Sequence, residues 1–303
     1  MAARDERVID VKGQSRTAAS ESRLRVARHL VERCPADLGD EIAVTGSVAR
    51  GVADDHSDVE LNLWIAEPPP TNAWRDWLLR AGASSIGRDG SQVDATGFAW
   101  TVCRLDGIWV EIGWAQTAPF DTFVSRLANG SFIGHERLQM GWTIQNAVPL
   151  RTSGRLGEWQ SSLSRYPKGL AKRIVADQTE VWADPHVPSV RWGLAAREER
   201  MGLAMRFLWD MQNVLRVLFA VNHVWDHDLK WTDEASLSLP LQPSRLSQRI
   251  DAMFTLDDLN RAVEVNQRLI VETLELAQEQ GFEVAEALTS MREGLRQGLE
   301  GTP

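Results

Sequence analysis

Residues 58–66, "DVELNLWIA", alternate polar and apolar side chains with a period of two. That pattern predicts a β-strand, with Asp58, Glu60 and Asn62 on one face and Val59, Leu61 and Leu63 on the other. Pro68, Pro69 and Pro70 follow and close it, because proline cannot donate to a ladder. The apolar face needs helices to cover it. The acidic face spaces its carboxylates about 6.5–7 Å apart along the backbone, within reach of one cation or a close pair.

The surrounding pattern builds a sheet around this strand. Leu24, Ala27, Leu30 and Val31 fit an amphipathic helix over 18–34, "EIAVTG" (41–46) reads as a buried strand, and "NAWRDWLLRAGA" returns to helical spacing. "FAWTVCRL" (98–105) and "IWVEIGWA" (108–115) flank Asp106-Gly107, a strong signal for a hairpin with a type I′ turn. On the second hairpin strand Trp109, Glu111 and Gly113 share a face, so Glu111 is an isolated carboxylate in an apolar strand. "AVPLRTSGRLGEW" (147–159) is a candidate boundary, and helical patterns follow over 155–165, 168–183, 190–224, 244–250, 256–279 and 282–298. The expected architecture is α+β: a mixed sheet with flanking helices, then a C-terminal helical bundle. Residues 1–17 read as a flexible tail, 18–150 as a catalytic domain and 151–303 as a helical domain.

Composition narrows the function. The net charge of −9 disfavours a nucleic-acid partner, since phosphate backbones are bound by basic residues. No apolar run approaches the roughly 18–20 residues of a membrane span. The N-terminal stretch is polar and there are 2 cysteines, Cys34 and Cys103, so the expectation is a reducing, cytoplasmic setting. The 13 tryptophans against a single tyrosine fit either core packing or ligand stacking.

If the strands at 58–66 and 108–115 are neighbours, three carboxylates converge. Two like charges about 4 Å apart repel by roughly 4 kcal/mol at an effective dielectric near 20, and a divalent cation removes that cost. Few carboxylates, with water and phosphate oxygens completing the shell, suit Mg²⁺. Alone, an acid pair on a strand more often decorates a half-exposed surface. Gly46 and Ser47 change the balance: a glycine at a strand end and a hydroxyl at a helical turn make an anion site. It is no Walker A loop, because no Gly-Lys-Ser/Thr follows.

"GSVARGVADDHSDVELNLW" resembles the signature of nucleotidyltransferases of the DNA polymerase β type: Gly-Ser, a spacer, Asp-x-Asp/Glu on a strand and a third acid on a later strand. With a mainly helical second half it looks closest to small-molecule enzymes such as the lincosamide and aminoglycoside nucleotidyltransferases. The resemblance is specific over 44–64 and general beyond 150. It implies transfer of a nucleoside monophosphate, AMP from ATP, to a hydroxyl of a small molecule such as an antibiotic, with release of pyrophosphate. By position, Gly46 and Ser47 would hold the β- and γ-phosphates, and Asp58, Glu60 and Glu111 would ligate two Mg²⁺ ions. Glu111 would also serve as general base. The second carboxylate is Glu where many members carry Asp.

Arg50, one turn beyond Ser47, is a candidate phosphate contact or a solvated helix residue. Ser57, bonding locally at the strand entrance, and Lys230, in "DLKW", complete the nucleotide-binding set. "HVWDHD" (223–228) sets His223 and His227 four apart, but a loop after a long helix explains it better than zinc. The apolar stripe of that long helix is core or a homodimer face. "YPKGLAKR" (166–173) is a small basic patch that a surface helix start also explains. Two other classes stay open: a toxin-like nucleotidyltransferase acting on a protein or an RNA, and a non-catalytic nucleotide-binding protein.

Overall fold

A computed structural model of the chain describes residues 8–9, 15–67, 72–87 and 98–301. Pro68, Pro69 and Pro70 lie outside the described residues, as does most of the 1–17 segment. Within that segment, strand β1 (Val8–Ile9) pairs antiparallel with β2 (Ser15–Arg16). Thr17 then caps helix α1 (Ala18–Glu32), its hydroxyl oxygen accepting the Ser20 N–H at 3.0 Å.

The first unit comprises the chain up to Asn129 together with Thr143–Arg165. Its five-stranded mixed sheet contains β3 (Glu41–Thr45), β4 (Val59–Ile65), β5 (Phe98–Leu105), β6 (Ile108–Gln116) and β7 (Val148–Arg151), in the order β5-β6-β4-β3-β7. The alternation read from the sequence holds in β4, where Val59, Leu61 and Leu63 are buried and Glu60 and Asn62 are half-exposed. The apolar face joins α1 and α3 (Ala73–Arg80) in one core that includes Leu30, Trp74, Trp77, Leu63 and Ile112. The hairpin turns at Asp106 and Gly107, with φ of 51° and 80°, as a type I′ turn requires.

One element of this unit lies where the sequence shows no strand pattern. The proposed boundary at 147–159 contains β7, an edge strand paired with β3, and the start of α6 (Arg155–Leu163). A four-residue strand carrying Pro149 has almost no periodicity to read, and proline is tolerated there because the edge leaves its nitrogen unpaired. Arg151 anchors the strand by donating to the carbonyls of Val31, Cys34, Pro35 and Gly39 at 2.7–3.1 Å. Helices α2 (Gly46–Arg50) and α4 (Thr117–Ala128) and the part of α5 (His135–Asn146) from Thr143 onward complete the unit.

The second unit, Gly130–Trp142 with the chain from Tyr166 onward, is helical. It contains α7 (Leu170–Thr179), α8 (His186–Ala196), α9 (Arg200–Val221), α10 (Thr232–Leu237), α11 (Leu246–Thr255), α12 (Leu259–Glu279) and α13 (Ala285–Gly301). The single helix expected over 190–224 is two. Its break is a Schellman turn: Glu199 N–H reaches Leu194 O at 3.0 Å, Glu198 N–H reaches Ala195 O at 2.9 Å, and Glu198 takes φ 57°. Gly294 and Gly298 let α13 lie close on α8, since a Cβ at either would collide with Pro188 or Trp192. At the core of this unit Arg191, 1% exposed, forks onto Asp210, which also accepts the Trp182 indole N–H at 3.2 Å.

Candidate active site

Sheet register brings the predicted acids together. β4 and β6 run parallel with Glu60 opposite Glu111, and Glu60 is also opposite Thr45 on β3. Registered residues on adjacent strands share a face about 4.8 Å apart. Asp58 immediately precedes β4 and, two residues before Glu60, joins the same face. Asp58 and Glu111 line an open cleft of about 560 Å³ with Arg23, His56, Val102, Arg104 and Trp109.

The polar surroundings of Glu60 are built from its neighbours on β3. Asn62 Nδ2 donates to Thr45 Oγ1 at 2.7 Å, which turns the Thr45 hydroxyl toward Glu60 Oε2 at 3.4 Å. Gly46 follows directly, with φ 63°. A Cβ at this position would fall on the Glu60 carboxylate, 2.8 Å from Oε2 and nearer still to Oε1. Glycine is therefore required twice over, for its left-handed backbone and for the space its missing side chain leaves. Ser47 is buried in the first turn of α2, and Arg50 is half-buried at that helix's last residue.

The loop ahead of Asp58 is tied at both ends. Asp54 Oδ1 accepts the His56 N–H and the Ser57 hydroxyl, each at 2.9 Å, while Ser57 Oγ accepts the Asp54 N–H at 3.0 Å. The Ser57 hydroxyl is the leading cause holding the Asp54 carboxyl below its ordinary pKa. Ser57 thus bonds within its own loop. From the other side Arg23, only 6% exposed, donates through Nε to Ser57 O at 2.6 Å and through Nη2 to Asp55 O at 2.8 Å. The sequence assigned no role to Arg23, Thr45 or Asn62. The period-two face pointed to Asn62, whereas an arginine on an amphipathic helix gives no sign that it is buried.

The donor set on this face is all oxygen, which suits a hard cation such as Mg²⁺. Among the described residues no three His, Cys, Asp or Glu side chains gather closely enough to hold a metal. An ion held here would complete its shell with water or phosphate oxygens, as Mg²⁺ does.

Lys230 belongs to the second unit, where it is exposed and faces Asp228 at 3.9 Å. His223 takes φ 54° just past α9, and residues 224–228 are irregular, so the helical spacing of His223 and His227 is not realised. His227 stacks on Trp142 with ring centroids 3.7 Å apart. No described helix is long and apolar enough to cross a membrane.

No protein-family model matches the chain, and no curated protein matches it. Among solved structures it is similar to a nucleotidyltransferase-like protein from Exiguobacterium sibiricum 255-15. The two are 12% identical over 91% of this chain and 80% of that one, with a TM-score of 0.38.

Proposed function

We propose that the chain is a Mg²⁺-dependent nucleotidyltransferase that moves AMP from ATP to a hydroxyl of a small molecule, an antibiotic being one such acceptor, and releases pyrophosphate. The observation that carries this reading is the in-register pairing of Glu60 with Glu111, one strand from the Thr45-Gly46 end of β3. Asp58, Glu60 and Glu111 would hold the metal by drawing in around it, since without the ion no three of them gather closely enough. Bound there, Mg²⁺ would offset phosphate charge and favour the ionised acceptor oxygen.

The chain's own groups supply position and proton transfer. The backbone at Gly46 and Ser47 meets the β- and γ-phosphates, and Gly46 leaves room for the Glu60 carboxylate beside them. Glu111 accepts the proton of the acceptor hydroxyl as its oxygen bonds to the α-phosphorus. The bond from that phosphorus to the bridging oxygen breaks, and pyrophosphate leaves with the electron pair. Asn62 and Thr45 keep the Glu60 carboxylate oriented, and Arg23 fixes the loop that delivers Asp58.

The test is pyrophosphate release from ATP and Mg²⁺ with a panel of hydroxyl acceptors, lincosamides and aminoglycosides among them. Asp58→Asn and Glu60→Gln should abolish release while leaving the folded far-ultraviolet spectrum intact. Glu111→Gln should lower turnover more than it weakens ATP binding. Full activity in both Asp58→Asn and Glu60→Gln would sink the metal assignment.

A further inference from the structure

We infer that the exposed face of the β5–β6 hairpin beside Glu111 binds the acceptor, and that it takes a molecule with a flat ring. This rests on the nucleotidyltransferase reading. In-line displacement places leaving group and nucleophile on opposite sides of the reacting phosphorus. The strand order β5-β6-β4-β3 puts Gly46 and Ser47, at the end of β3, on one side of the carboxylates. The β5–β6 hairpin lies on the other, and the acceptor belongs there.

That face is made for a ring. Register sets Val102 opposite Glu111, Arg104 opposite Trp109 and Trp100 opposite Gly113, so all of them share the carboxylate face. Trp100 is 44% exposed and Trp109 49% exposed. Two large indoles left in solvent beside a polar cleft are costly unless something covers them. The Arg104 guanidinium lies 5.5 Å from the centre of the Trp109 ring, and its Nε donates to Gly107 O at 3.1 Å. It is held over one side of the indole. Trp109 and Arg104 line the same cleft as Asp58 and Glu111, so a ring on this platform can present a hydroxyl to the acids.

The experiment is calorimetric titration of the full-length protein with 4-nitrophenyl β-D-glucopyranoside, a planar-ring hydroxyl compound, with methyl β-D-glucopyranoside as the control that lacks the aromatic ring. ATP with Mg²⁺ is titrated in parallel. The nitrophenyl glucoside should bind saturably and more tightly than the methyl glucoside. Trp109→Ala should weaken it about tenfold, the scale of ring stacking on an exposed aromatic, and Trp100→Ala several-fold, with ATP binding unchanged in both. Absence of saturable binding of the nitrophenyl glucoside, binding by both variants equal to that of the unsubstituted protein, or equal binding of the methyl glucoside overturns the acceptor assignment. If ATP binds under those outcomes, only this assignment fails. If ATP does not bind at all, the nucleotidyltransferase reading fails with it.

Discussion

Gly46 shows how much one missing side chain decides. The residue closes β3 with a left-handed backbone, and the Glu60 carboxylate occupies the volume a Cβ would need. Gly46→Ala should therefore destabilise the protein by about 1–2 kcal/mol through backbone strain alone, with more from displacing Glu60. Denaturant unfolding measures the first effect and pyrophosphate release the second. An alanine variant of unchanged stability and turnover would mean that the carboxylate need not lie over this position. The sequence already marked the glycine, because a glycine at the end of an apolar run is conspicuous. It carried no mark for Arg23, whose burial depends on a loop more than thirty residues away.

Elements were legible where their signal is local. The β5–β6 hairpin follows from two alternating runs and an Asp-Gly turn, and its observed limits match that reading closely. β7 escaped because its pairing with β3 is set by the fold and not by four residues containing a proline. The break between α8 and α9 escaped for a different reason: the residue in the left-handed C′ position is Glu198, where glycine is the usual sign. That choice costs stability. Glu198→Gly should raise the unfolding free energy by about 0.5–1 kcal/mol without changing pyrophosphate release. A loss of stability on chemical denaturation would show that the Glu198 side chain contributes more than its backbone strain costs.

At the scale of the whole molecule, the two cysteines report on one unit alone. Cys34 follows α1 and Cys103 sits in β5, both buried in the first unit. Burial is the largest cause raising each thiol to about 11. A group whose folded pKa is raised contributes stability that is fully present below its unfolded value, near 9, and lost as pH rises through the folded value. The first unit should accordingly lose stability between about pH 9 and 11, on the order of 2–3 kcal/mol per thiol at most. Near pH 8 almost none of either thiol is ionised, so iodoacetamide should leave the native protein unmodified while a denatured sample takes up two equivalents. Mass spectrometry across the pH range reads both effects. Rapid native labelling of Cys103 at pH 8 would mean that the hairpin carrying Glu111 and Trp109 opens readily, and a sheet that opens there could not hold the carboxylates in the register the proposed chemistry requires.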